Sequence, residues 1–124
     1  MPKQTVSTGN AAQPGGPYSQ AVVAGDFVYL AGATPTHPDG TRETGDFTAQ
    51  ARVTLDNLAA VAEAAGASLD QAVRVGVYLR DLGNFPALNE LFAQYFRGGP
   101  PARTTIPVDL PGIEIEVDAV LYRG

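Results

Sequence analysis

Residues 73–80 alternate without a break: Val73, Val75, Val77 and Leu79 are interleaved with Arg74, Gly76, Tyr78 and Arg80. A period of two marks a strand with one face in the core. Such a strand cannot stand alone. It needs neighbours for its backbone hydrogen bonds and a second layer over its apolar face.

The segments around it supply both. Gln20–Ala24 and Phe27–Ala31 are short apolar runs separated by Gly25 and Asp26, a two-residue turn that sets Ala24 opposite Phe27 and Val22 opposite Tyr29. Gln13–Tyr18 and residues 34–45, rich in Pro and Gly, read as loops, with His37 in a turn rather than a metal site. Asp46 caps a helix running to about Ala65, stopped by Gly66. Phe47, Ala51, Leu55, Leu58, Ala62 and Ala65 form its apolar stripe, with Gln50, Asp56, Asn57 and Glu63 mostly off it. Asn84 caps a second helix with Pro86 in its first turn. Its stripe is Phe85, Leu88, Phe92 and Tyr95, read as core, and Gly98-Gly99 ends it. Two more strands, Arg103–Val108 and Ile113–Tyr122, flank the turn at Asp109–Gly112. The order is strands, helix, strand, helix, strands, which is an α+β sandwich with two helices on one face of a sheet. The other face carries Phe27 and Tyr29, too apolar for open water, so packing of sheet on sheet in an oligomer is expected.

Composition removes several classes of function. The 124 residues include no Cys, which excludes disulfide scaffolds and thiolate metal sites, and the one His sits in a turn, which makes a serine with a histidine base implausible. A net charge of −5 with scattered arginines makes nucleic acid a poor partner. No apolar run approaches the roughly 20 residues of a spanning helix, and the N-terminus does not read as a signal sequence, so a cytoplasmic protein without membrane contact is expected.

One constellation carries chemistry. Thr104, Ile106 and Val108 alternate with Arg103 and Thr105, and Ile113, Ile115, Val117 and Ala119 alternate with Glu114, Glu116 and Asp118. An antiparallel pairing of these strands, apolar against apolar, puts Arg103 on the same face as Glu116, opposite it or one diagonal away. The bland outcome is a cross-strand ion pair worth about 0–1 kcal/mol. The sharper one is a site: the guanidinium fork binds a carboxylate bidentately, and a nearby Glu holds or deprotonates a water. Spacing leaves both open. Beside Arg103, Glu116 is expected to stay ionised, fit for positioning water but weak as a base.

Five motifs in order resemble the Rid family, also called YjgF and, in older labels, L-PSP endoribonuclease or translation inhibitor. They are Gly16-Pro-Tyr-Ser-Gln20, Tyr29-Leu-Ala-Gly-Ala-Thr-Pro35, Gln50-Ala-Arg-Val-Thr-Leu-Asp-Asn57, Pro101-Ala-Arg-Thr104 and Ile115-Glu-Val-Asp-Ala119. The resemblance implies one chorismate-mutase-like α+β domain over residues 1–124, with a six-stranded, mainly antiparallel sheet and two helices on one face. It implies a homotrimer with intersubunit clefts, and hydrolysis of reactive enamine and imine carboxylic acids to 2-oxo acids and ammonia without a cofactor or metal. That activity would serve metabolite damage control. Under it, Arg103 clamps the substrate carboxylate, Glu116 positions the attacking water, Tyr18 lines the cleft and Gly32 lets the backbone approach. Thr105 offers main-chain polar groups, and Asn89 matches an asparagine of the second helix. Ala31 stands where the deaminase-type pattern usually has Ser, and Thr105 where it often has Cys. The rivals are a metabolite-binding or chaperone-like trimer without turnover, and an endoribonuclease.

Overall fold

The computed structural model describes residues 2–124. The strands are β1 (Gln4–Val6), β2 (Ala21–Ala24), β3 (Phe27–Ala33), β4 (Ala72–Leu79), β5 (Ala102–Pro107) and β6 (Ile115–Tyr122). The helices are α1 (Phe47–Ala64) and α2 (Phe85–Tyr95). The strands form one sheet in the order β1-β2-β3-β6-β4-β5, antiparallel except for β4 and β5. Helix α1 lies over β3 and β6 and against α2. Between these layers sit Val28, Leu55, Leu58, Val75, Val77, Leu79, Leu88, Ile115, Val117 and Leu121, all sealed from solvent. The α+β sandwich is as expected; β1, short and mostly exposed, carries no pattern that announces it.

Local signals held where their partners are near in sequence. The β2–β3 hairpin pairs Ala24 with Phe27 and Val22 with Tyr29, and Gly25 takes a positive φ of 59° in the turn. Asp46 caps α1 by accepting from the Ala49 amide at 2.9 Å. Asn84 differs: it precedes α2 without a side-chain cap bond, and Asp81 instead caps the short turn before it. Helix α2 also stops at Tyr95, ahead of Gly98-Gly99. In β4, a bulge between Ala72 and Arg74 shifts the alternation by one, so Ala72 is buried and Val73 exposed.

The tail pairing differs most. Strand β5 does not face β6. It runs parallel to β4 as the edge of the sheet, and β6 inserts between β3 and β4. Strand β4, helix α2 and β5 form a crossover unit, the connection that parallel neighbours require.

Gln50 and Asn57, expected off the buried stripe, are buried. Each is consumed by loops rather than by the core. The Gln50 amide donates to the Gly45 carbonyl and accepts from the Glu114 amide, at 3.0 and 2.9 Å. Asn57 accepts from the Ala12 amide at 3.1 Å and donates to the Thr34 and Thr36 carbonyls at 3.2 and 2.6 Å. It thus ties the loop before Tyr18 and the end of β3 to α1. Asn57→Leu, which orphans three backbone groups, is expected to cost about 2–3 kcal/mol, read as a lower urea midpoint at unchanged slope. Among the described residues no helix is long and apolar enough to cross a membrane.

Candidate functional site

Paired residues on neighbouring strands point to the same side of a sheet. Arg103 is level with Val75, and Val75 with Ala119, both buried beneath the helices. Glu116 is level with Tyr78, which is level with Ile106, and these face the open side. Arg103 and Glu116 therefore stand on opposite faces, with β4 between their strands. The expected convergence within one chain does not occur. Alternation gave two faces for each strand, but β5 turns its Arg103 and Thr105 face, not its Ile106 face, toward the helices.

The candidate residues gather instead as two half-sites. The first lies at the end of β3. A bulge between Leu30 and Ala33 brings Ala31 and Gly32 out of regular register with β6. Gly32 then abuts Glu116 so closely that a Cβ at position 32 would overlap the carboxylate Oε2. Here glycine serves close approach, not a special φ. Tyr18, Ala31 and Gly32 also line a cavity of about 70 Å³ that reaches back to Asn57 and Leu58 of α1. The Tyr18 hydroxyl accepts from the Gly15 amide at 3.1 Å, folding its ring over the turn.

Glu116 forms no ion pair among the described residues. Burial, and next the charge of Asp118, push its carboxyl above the usual carboxylate range. This reverses the expectation that Arg103 holds it ionised: the arginine is on the other face. Asp118 is itself held by the Tyr78 hydroxyl, which donates to it at 3.1 Å across the space that Gly76 leaves open.

The second half-site lies on the edge strand. Arg103 Nη2 donates to Asn89 Oδ1 at 2.7 Å, and the guanidinium lies over the rings of Phe92 and Phe85, 4.7 and 5.2 Å from their centroids. No carboxylate pairs with it among the described residues. Partial burial lowers its pKa. Asn89 spends its side-chain oxygen on Arg103. The aromatics were legible as a helical stripe but not as neighbours of the arginine.

Thr105 presents its main chain at the same edge. The Val108 amide donates to the Leu79 carbonyl, so alternation points the Thr104 and Ile106 amides toward β4 and the Thr105 amide outward. Pro107, next on the outward side, has no N–H to offer, which blunts the edge. The Thr105 hydroxyl is buried without a partner among the described residues. Nor do three or more His, Asp or Glu side chains there gather where they could hold a metal ion.

The comparisons agree along the whole chain. Residues 8–122 match the family described as Endoribonuclease L-PSP. A RutC family protein of Pyrococcus horikoshii is 43% identical over 124 residues, spanning 98% of each chain. The 2-iminobutanoate/2-iminopropanoate deaminase of Dermatophagoides farinae is 38% identical over 97% of this chain and 96% of its own. The crystal structure of RidA from an Antarctic Psychrobacter superposes with a TM-score of 0.91 at 39% identity, covering 96% of this chain and 98% of that one. Fold, motif order and the full-length matches coincide, and the chain belongs to the endoribonuclease L-PSP family, also called Rid or YjgF.

Proposed function

We propose that the chain hydrolyses 2-imino and 2-enamine carboxylic acids, such as 2-iminopropanoate and 2-aminoacrylate, to 2-oxo acids and ammonia. One observation carries this reading: among the described residues, a guanidinium held by Asn89 has no acid partner and a half-buried carboxylate of raised basicity has no basic partner. A substrate with a carboxylate at one end and an electrophilic C=N carbon beside it calls for those two groups. The identity with a deaminase of that substrate class supports it.

One chain cannot bring the groups together, so the site is completed between copies in a homotrimer. The open face exposes Phe27, Tyr29, Tyr122 and Ile106, at 39, 48, 44 and 41%. Sister faces cover them, and each cleft sets the Arg103 edge of one copy against the Gly32–Glu116 corner of the next. Light scattering should give three times 12.9 kDa.

In that cleft Arg103 takes the substrate carboxylate in its open N–H fork, and the Thr105 amide adds a donor. Glu116 carries a proton from water to the imine nitrogen as the water oxygen bonds to carbon. It then carries a second proton from the new hydroxyl to nitrogen as the C–N bond breaks, releasing ammonia and leaving the 2-oxo acid. The enamine joins the path once its terminal carbon is protonated. The scheme needs no cofactor.

The test is faster loss of freshly generated 2-iminopropanoate than in buffer. Binding of a 2-oxo acid without acceleration would favour the metabolite-binding reading that Ala31, lacking the usual hydroxyl, suggests. RNA is not a proposed substrate, given the charge of −5; salt-dependent tight RNA binding by nuclease-free protein would reverse that.

Three variants probe the roles. Thr105→Val removes only an unpartnered hydroxyl, so stability and turnover should hold, whereas Thr105→Pro removes the outward amide and turnover should fall about tenfold. Glu116 must be ionised to act as base, so the rate should fall as pH drops through a value above the ordinary carboxylate range. Asp118→Asn removes one cause of that rise and should move the acidic limb to lower pH.

A further inference from the structure

Phe85, Asn89 and Phe92 occupy positions i, i+4 and i+7 of α2, one face of the helix. That face lies over the Arg103 side of β5. Asn89 takes one N–H of the guanidinium, whose central carbon lies over both rings. Phe92 is braced in turn by Phe96, stacked with centroids 4.2 Å apart and planes inclined by 22°. Phe92 and Phe96 are buried, whereas Phe85 is 39% exposed.

A partly buried cation usually takes a carboxylate partner. Here it has none among the described residues, and its surroundings are two π faces and a neutral amide. The difference matters to an incoming anion. An acid partner would neutralise the guanidinium and occupy its fork, so a substrate carboxylate would have to displace it. Ring faces attract the cation through their quadrupoles while leaving its charge uncompensated and its N–H edge open. The planar group is also fixed in orientation, so less freedom is lost on bidentate binding.

We propose that Phe85 and Phe92 are positioning residues: with Asn89 they clamp Arg103 so that its uncompensated guanidinium edge is preset for the carboxylate of the substrate. This rests on the reading of Arg103 given above. The clamp acts on the end of the substrate that does not react, so it governs carboxylate affinity and KM more than the chemical step.

The experiment replaces Phe92 by mono-, di- and trifluorophenylalanine, which keep its shape while draining the ring face, and measures the Kd of 2-oxobutanoate by calorimetry on the full chain. Stepwise weakening is expected, reaching roughly threefold to tenfold at the trifluoro ring, with the thermal midpoint unchanged. Phe85→Leu should raise KM similarly with kcat nearly constant, and Phe85→Tyr should restore it. A purely packing role for Phe92 would leave Kd flat across the fluorinated series. A flat series, with binding still lost in Arg103→Lys, overturns the clamp alone. Binding unchanged in Arg103→Lys overturns the assignment of Arg103 and the clamp with it.

Discussion

Arg103→Lys should lower kcat/KM for 2-iminopropanoate by about ten- to a hundredfold. The charge stays and a lysine ammonium can still donate to Asn89, but the planar fork that takes a carboxylate bidentately goes. A hydrogen bond to a charged group is worth about 1.5–3 kcal/mol, which sets that range. Stability should move by less than about 1 kcal/mol, because no ion pair is broken and a lysine can still rest on the rings. Loss of activity at an unchanged thermal midpoint separates a substrate ligand from a structural cation. Equal kcat/KM in wild type and variant would remove Arg103 from the site.

Gly32→Ala should be about as damaging from the other half-site. The new Cβ overlaps Glu116 Oε2 and meets its Cδ and Cγ at 3.1 and 3.3 Å, so the carboxylate must swing away. A displacement of about 1 Å in a catalytic group costs on the order of a hundredfold in rate. The clashing atoms are the far end of a flexible side chain, so the fold should tolerate the change. The signature is a lowered kcat, near-normal binding of a 2-oxo acid through Arg103, and little change in denaturation midpoint. Full activity in Gly32→Ala would mean that Glu116 is not held where the chemistry occurs.

These experiments address groups that the sequence named but did not bring together correctly. Arg103, Glu116, Gly32 and Tyr18 stand within motifs, and each lies in one of the two half-sites. Their grouping is not legible in the sequence, for a definite reason. Apolar alternation in residues 103–108 is ambiguous, because an edge strand can turn Ile106 outward when the open face is itself apolar. Pairing it with the nearest strand in sequence was then the simplest register, and α2 makes another pairing possible. The raised basicity of Glu116 is hidden as a consequence, since it follows from burial and next from the charge of Asp118, with Arg103 on the other face. The roles of Gln50 and Asn57 were hidden for a related reason. Polar residues on a helix read as solvated until the loops that consume their hydrogen bonds are in place.

The hairpin at Gly25-Asp26, the cap at Asp46, the two helices, the alternation of β6 and that of β4 from Val75 onward were determined by the sequence alone. Each depends on sterics and hydrogen bonds spanning a few residues, and on periods that fix which side chains share a face. Which strand neighbours which, and which face of β5 meets the helices, was decided only in the tertiary structure. Those choices balance burial of distant apolar surface and pairing of distant backbone groups against the entropy of closing the loops between them. No local period encodes that balance. It is what sets Arg103 against α2 and Glu116 on the opposite face of the sheet.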